Sequence, residues 1–574
     1  MDIRQQIVQD QIEKLNSNLN LNNEDKAFQI FAHSLFTDKS FFSFDKNDDV
    51  DGGQDKQIDN ITIDQQDGEG TIYITQIKNE RNYSSNSIIQ IRNGLNWIFN
   101  QKRVNVQTLS NIKFKDKILE CKDLINLVGP SNIDVKVAYI TNGLPNTISD
   151  ECWQEIDVLK EQFDNGTFSS FNFELIGAIE IIDRLNSQEK KNKKINADIK
   201  IKYDTNSPSL IKYHAYGLKG IICTTSAKEI ARIVNEDDKG FIFDLNIRKY
   251  LGSLGTVNKD IKETCSDEDS SHLFWFLNNG VTIVCDKLDP VTDPDNPHIK
   301  IENLQIVNGC QTSSSLAIAE KEGLLLENTN VILKIFETDN LNLVDKIVLT
   351  TNNQNKITNR NLRANDKIQR DFERAFEIYD YFYERKPRQY SDKDPTKIIP
   401  NEDAATAYLA IVLKRPSDAR SRKYKIWNDY YESIFKTNLI ESFIISYLIK
   451  TKTSQFLNES SYVTSDNDIE RYISKNAQYH ISRMTSFIWR KTDNWNKPND
   501  LSKDLKDLEN NNNLLNEHIE TALKELKTII EQNNIYKADI NNALKSSILD
   551  NDISSILHNK YRKTRKLNPE STDL

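Results

Sequence analysis

Two runs of alternating apolar and polar residues, Gln57-Ile58-Asp59-Asn60-Ile61-Thr62-Ile63-Asp64 and Thr71-Ile72-Tyr73-Ile74-Thr75-Gln76-Ile77-Lys78, flank the polar segment Gln65-Gln66-Asp67-Gly68-Glu69-Gly70. Alternation with period two is the pattern of half-buried strands, and a glycine-containing polar stretch between them is a turn, so the segment predicts a β-hairpin. Symmetric pairing about that turn sets Asp64 against Thr71 and, counting back, Asp59 against Gln76. Directly opposed residues share a sheet face, and Gln76 and Lys78 point the same way because strand side chains alternate. One face then carries a carboxylate, an amide and an ammonium. Mg²⁺ or Mn²⁺ takes hard oxygen ligands and acidifies a bound water, while a nearby lysine can orient that water and offset charge developing on a phosphate. Asp59 and Gln76 are therefore candidate metal ligands and Lys78 a candidate catalytic residue. An isolated D…QxK pattern is more often just the polar face of an exposed strand, so the surrounding sequence has to decide.

At 574 residues the chain has room for two to four domains. A hydrophobic fraction of 37% supports sizeable cores, and a net charge of −10 excludes wholesale coating of nucleic acid, so any phosphate-binding surface must be local. Six cysteines with no CxxC pair and seven scattered histidines argue against a zinc site and for a reducing, cytoplasmic setting. No apolar run reaches the ~18 residues that a membrane span requires.

Periodicity predicts a helix over 24–35, the hairpin, a helix over 86–103, a strand over 134–141 and a strand running into a helix over 173–185. These define a mixed α/β N-terminal domain over residues 1–186, followed by a lysine-rich linker over 187–199. A central α/β domain over 200–367 has predicted strands at 241–245, 280–285, 304–307 and 331–336 and a helix at 313–321. Beyond it, a helical region over 368–574 has predicted helices at 368–384, 404–413, 439–449, 468–489 and 514–531, with 494–513 read as a connection.

The hairpin residues resemble the D…(E/Q)xK core of the PD-(D/E)xK nuclease superfamily, in its Mrr-like branch, and Asp51-Gly52-Gly53-Gln54-Asp55 is similar to the loop leading into that core. The resemblance implies an endodeoxyribonuclease, DNA ahead of RNA, with Mg²⁺ or Mn²⁺ held by Asp59 and Gln76 and with Lys78 catalytic. It departs from the pattern in two places. Gln76 stands where an acid is more frequent, and Phe28 is followed by Gln29 rather than by Glu. Glu24, one turn earlier on the same helical stripe, is the candidate substitute.

The central region holds three amide-rich clusters: Phe243 to Gly252, followed by Val257-Asn258; Phe274-Trp275-Phe276-Leu277-Asn278-Asn279-Gly280; and Val307-Asn308-Gly309-Cys310-Gln311-Thr312-Ser313, with an echo at Thr350 to Ile357. Taken in order, and with Tyr383-Glu384-Arg385-Lys386, they resemble the AIPR family, named for abortive-infection phage resistance. Members commonly carry an Mrr-like nuclease at the N-terminus, so the resemblance implies an antiphage nuclease regulated by its central and C-terminal regions, with a phage-encoded trigger or a companion defence protein as partner and a homodimer as the assembly. The third cluster also looks faintly like the strand–turn–helix of ParB-related proteins, which implies a nucleotide at the central domain. Asn278, Asn279, Asn308, Gly309, Gln311 and Thr312 are its candidate ligand-binding residues, since amides read polar ligands without charge. Asparagine-braced turns with ordinary helix capping are the structural alternative.

Basic residues beside aromatics supply candidate nucleic-acid contacts, Arg385, Lys386 and Arg388, and Arg420, Arg422 and Lys423, and Arg92, Lys102 and Arg103 near the hairpin site are further candidates. A noncatalytic sensor of nucleotide or nucleic acid is the rival reading from another class.

Overall fold

The computed structural model describes residues 2–561 apart from 54, 67, 193, 204–208, 216–217, 238–239, 247–255, 294, 339, 352–359, 361–362, 387–388, 391–392 and 437–439. The described chain forms two compact units, residues 2–192 and 194–561.

The first unit is built on helices α1 (Ile3–Asn18) and α2 (Glu24–Phe36), the hairpin β1 (Asn60–Gln66) and β2 (Glu69–Lys78), then α3 (Ser85–Leu95), α4 (Arg103–Val106), α5 (Ile112–Val128), β3 (Ile133–Thr141), α6 (Asp150–Phe163), β4 (Ser170–Ile176) and α7 (Ala178–Asn192). The sheet order is β1-β2-β3-β4. The hairpin is antiparallel, and β2–β3 and β3–β4 are parallel, as strands joined by helical crossovers must be. The register has Asp64 opposite Thr71, as the alternation required, though the strands run further than expected, to Gln66 opposite Glu69.

Alternation then sorts the two faces. Ile61, Ile72, Ile74, Val135 and Val137 pack with Ile88, Ile91 and Leu95 of α3 and Phe114, Ile118 and Cys121 of α5. The other face meets α2, where His33 lies between Thr62 and Thr75 and Phe36 meets Tyr73 edge-on. A helix starts at Glu24 because the Asn23 side chain accepts from the Lys26 N–H, and its buried stripe is Ala27, Phe28, Phe31 and Leu35.

The second unit contains β5 (Ala197–Lys200), β6 (Ile211–Ala215), β7 (Leu218–Ser226), α8 (Ala227–Glu236), α9 (Thr256–Ser266), α10 (Phe274–Leu277), β8 (Val281–Cys285), β9 (Lys287–Val291), β10 (His298–Glu302), β11 (Gln305–Asn308), α11 (Cys310–Lys321), β12 (Asn330–Glu337) and α12 (Leu341–Thr351). Two sheets result, β11-β8-β12-β7-β6 and β5-β10-β9. Ile221, Cys223, Ile283 and Leu333 of the larger sheet bury against Ile230 and Ala231 of α8 and Leu316 and Ala319 of α11. The remainder is mainly helical, with Phe372, Phe376, Tyr383, Phe435, Phe443 and Tyr408 forming an aromatic core in which Tyr408 stacks on Phe443 at 4.0 Å.

Several expectations need correction. Phe241–Phe243 is a 3-10 turn after Gly240, not a strand. The helix expected over 368–384 stops at Glu377, because Asp380 takes a left-handed φ of 58° and the chain re-enters as the strand Phe382–Glu384, paired with Ile398–Pro400. The helix expected over 468–489 breaks at Ala477. The 494–513 connection contains a helix, Pro498–Asn510, whose Leu501, Leu505 and Leu508 are buried. Residues 187–192 of the expected linker continue α7. The helix expected over 86–103 ends at Leu95, passes through a π turn over Asn96–Asn100, and restarts at Arg103.

Gly94 on α3 marks the tightest approach to the segment that precedes β1. A Cβ there would lie 2.7 Å from Ile58 Cγ1 and 3.2 Å from the Lys56 carbonyl oxygen. Gly94→Ala is therefore expected to lower stability by about 1–3 kcal/mol, as overpacking does, despite the helix propensity that alanine adds. Urea unfolding monitored by circular dichroism measures it.

Candidate functional site

Asp59 lies one residue before β1 and continues the hairpin's pairing: its N–H donates to the Thr75 carbonyl (2.9 Å) and its own carbonyl accepts from the Val50 N–H (2.9 Å). Its side chain accepts from the Ile77 N–H at 2.5 Å, which fixes the carboxylate against β2. Gln76 is buried on the face shared with Ile72 and Ile74. The Gln76 amide donates to Gln57 Oε1 at 3.0 Å, while its Oε1 is buried and accepts no hydrogen bond from the described residues. Lys78, two residues on along the same face, has no ion-pair partner among the described residues, and it lies close enough to favour the ionised form of Asp59. The three residues named from the sequence thus come together at one end of the hairpin.

The approach loop adds two acids that the sequence reading left out of the ligand set. One carboxylate oxygen each from Asp51, Asp55 and Asp59 falls within 4.8 Å of the others. Asp55 is held by accepting from the Gly52 N–H (3.0 Å) and the Gln57 N–H (2.7 Å). Lys56 and Gln57 both take left-handed φ values, 57° and 62°, a cost that bends the chain back between Asp55 and Asp59. Both acids stand in the string Asp51-Gly52-Gly53-Gln54-Asp55, but the bend that turns them toward Asp59 has no period to read.

Burial is the main reason that the Asp59 carboxyl is pushed up to about 7, with the Asp51 and Asp55 charges adding to it and the Ile77 N–H and Lys78 opposing it. Three converging carboxylates and an orphaned amide oxygen are a donor set suited to a hard divalent cation.

Glu24 is placed elsewhere. It is exposed in the first turn of α2 and accepts from Gln9 Nε2 at 3.0 Å. Gln29, after Phe28, is the α2 residue that reaches the site's backbone, donating to the Asp59 carbonyl (3.3 Å) and to Asp49 (3.1 Å).

In the second unit, Asn278, Asn279, Asn308, Gly309, Gln311 and Thr312 all line one cavity of about 390 Å³, together with Asn246, Phe274, Leu277 and Asp260. The parallel pairing of β8 with β12 and the antiparallel pairing of β8 with β11 bring the two clusters side by side. Asn278 donates to the Thr312 hydroxyl at 3.2 Å and caps its own turn by accepting from the Gly280 N–H at 3.0 Å. Gly309 sits at φ 92°, and a Cβ on it would come 2.9 Å from the Gly280 carbonyl oxygen, so the two turns interlock backbone to backbone. The expected Asn352–Ile357 echo and Ile247–Gly252 lie outside the described residues.

The basic candidates divide. Arg385 turns inward, donating to Glu373 (2.7 Å) and to the Ala364 carbonyl (2.7 Å), and Lys386 is buried, donating to the Asp244 carbonyl at 2.7 Å. Neither is offered to a phosphate, because Glu373 and the main chain already hold them. Arg388 lies outside the described residues. Arg420 braces Asn476 and Asn541, Arg422 pairs with Asp418 at 2.7 Å, and Lys423 lies 5.9 Å from the Tyr479 ring centre. In the first unit Arg92 pairs with Glu155 (3.0 Å) and Arg103 with Asp123, while Lys102 is exposed. Among the described residues, no helix is long and apolar enough to cross a membrane.

Asp59 titrates near 3.8 when unfolded and near 7 when folded, so the folded chain holds this proton more tightly. Ionising it therefore costs stability progressively from about pH 4 to pH 7 and fully above that. In chelator at pH 8, Asp59→Asn is expected to be more stable than the parent, by up to about 4 kcal/mol, and the gap should close as the pH falls toward 4. Urea titrations at both pH values measure it.

A family model described as AIPR protein matches residues 243–542, more than half of the chain. No curated protein and no solved structure matches.

Proposed function

The chain belongs to the AIPR family, which points to antiphage defence by abortive infection, and from that premise we propose that it is a metal-dependent nuclease acting on DNA, controlled by its second unit. The matched segment begins after the first unit, so the nuclease reading is supported by the site itself and by the Mrr-like resemblance of its hairpin. The observation that carries it is the convergence of Asp51, Asp55 and Asp59 beside Gln76, whose buried Oε1 has no partner among the described residues. Those four residues would hold a Mg²⁺ or Mn²⁺ ion, which when bound supplies charge neutralisation at a phosphodiester and a more acidic water. The Ile77 N–H orients the Asp59 carboxylate. Lys78, without an ion-pair partner among the described residues, offsets the negative charge of an entering phosphate and takes part in placing the attacking water.

With Mg²⁺ or Mn²⁺, the purified chain is expected to cut plasmid or phage DNA. Lys78→Ala and Asp59→Ala are expected to lose at least ~100-fold in rate with circular dichroism unchanged, and to lose phage protection in cells. Equal protection by the parent and Asp59→Ala would remove the nuclease reading.

The amide-lined cavity supports a second reading, a sensor that binds a nucleotide or nucleoside and signals through the second unit. Its six candidate residues come from two sequence clusters and meet at one cavity. Saturable binding of a nucleotide to the Asp59→Ala protein is expected, weakened at least tenfold in Asn278→Ala and in Gln311→Ala, as measured by calorimetry. Failure of every nucleotide and nucleoside to bind would remove this role.

A further inference from the structure

We propose that Gln57 is a positioning residue of the candidate metal site, one that decides which end of the Gln76 amide is offered to a cation. The inference rests on the metal-site reading above and adds to it a residue that acts through another. A glutamine carboxamide has an acceptor end and a donor end of nearly equal size. Packing alone does not tell the two apart, yet a cation takes only the oxygen. A selective hydrogen bond has to hold the nitrogen away.

Gln57 Oε1 supplies that bond. It accepts from Gln76 Nε2 at 3.0 Å, and because an amide oxygen can only accept, the contact selects the donor end of Gln76. Gln76 is 2% exposed, and its Oε1 is left buried with no partner among the described residues. Left to the acids, the amide would turn the other way. The pairing that sets Asn60 against Thr75 runs on to place Asp59 by Gln76, and a carboxylate is a strong acceptor for an amide N–H. The Gln57 contact works against that pull and keeps the oxygen end free. A glutamate at position 76 would have no hydrogen to give Gln57 Oε1, so the two glutamines are matched to each other.

The main chain of the same residue holds one of the acids. The Gln57 N–H donates to Asp55 Oδ1 at 2.7 Å, while the Gly52 N–H donates to Oδ2 at 3.0 Å. Gln57 reaches Asp55 and Gln76 together because Lys56 and Gln57 both take left-handed φ values, 57° and 62°. Its neighbours anchor that bend. Ile58 is fully buried against Gly94, and its N–H donates to the Asp55 carbonyl at 3.2 Å. The Lys56 ammonium lies 5.4 Å from the Trp97 ring centre. The bend is thus held by main chain and by flanking side chains, so the Gln57 side chain can be changed without releasing Asp55.

The test is Mn²⁺ binding to the full chain, followed by electron paramagnetic resonance, in Gln57→Met, Gln57→Glu, Gln76→Leu and the double substitution Gln57→Met with Gln76→Leu. Methionine keeps the length of the side chain and removes the acceptor. Glutamate keeps an acceptor at the same reach and removes the donor. Both leave the main-chain N–H in place, and urea unfolding in chelator checks that the fold is kept. Gln57→Met is expected to weaken Mn²⁺ at least ~tenfold, since a hydrogen bond from Gln76 Nε2 to a carboxylate then sets the amide the wrong way round in most chains. Gln57→Glu is expected to bind at least as tightly as the parent. Gln57→Met is expected to add nothing to Gln76→Leu, because no amide is left to orient. In DNA cleavage, Gln57→Met should raise the Mg²⁺ concentration that gives half the maximal rate, and saturating Mg²⁺ should restore the parent rate. Binding by Gln57→Met as tight as the parent's overturns the proposal and leaves the metal site standing. So does a Gln57→Glu protein as weak as Gln57→Met, or losses that add in the double substitution. A parent chain that binds no Mn²⁺ overturns both the proposal and the reading beneath it.

Discussion

Pairing of Asp59 with β2 fixes everything else at the candidate site. The Asp59 N–H binds the Thr75 carbonyl, and the Ile77 N–H binds the Asp59 carboxylate. Together they pin an acid opposite Gln76 and two positions from Lys78. A slip of β2 by one residue would send Gln76 and Lys78 to the α2 side, toward His33 and Thr62, and would bring Thr75 and Ile77 to the site's face. The register is protected because the same slip would take Ile72 and Ile74 away from α3 and α5, against which they pack. Core burial therefore specifies the chemistry-bearing face, and Gly94 lets α3 come close enough to enforce it.

That register was legible because alternation with period two survives in a strand covered on one face. Asp64 opposite Thr71 followed from counting alone. The acids of the approach loop were harder to place, since two consecutive left-handed residues, Lys56 and Gln57, set their direction. Glu24 was sought on the right helix but at the wrong turn, and Gln29 occupies the position facing the Asp59 main chain. The basic strings misled for a related reason. Arg385 and Lys386 read as an exposed cluster beside tyrosines, yet Glu373, twelve residues before Arg385, takes the arginine inward, and the Asp244 carbonyl takes the lysine from far upstream. Pairing at that separation leaves no local trace. Helix ends failed in the same manner: Asp380 turns the chain after Glu377 although the apolar spacing continues.

The second unit shows how amides without charge build a shaped cavity. Asn278 and Asn308 lie thirty residues apart, but β8 pairs with β11, and Gly280 and Gly309 touch backbone to backbone where any side chain would collide. The family match spans this region and the helices after it. A cavity held by main-chain contacts has little freedom to collapse, which suits either a bound ligand or a rigid brace.

The most direct measurement is Mn²⁺ binding to the full-length chain, followed by electron paramagnetic resonance at neutral pH. The account predicts one saturable Mn²⁺ per chain, displaced by Mg²⁺, lost in Asp59→Asn and weakened in Gln76→Leu, with Lys78→Ala still binding. No Mn²⁺ bound at millimolar concentration, or binding that is indifferent to Asp59 and Gln76, would contradict it.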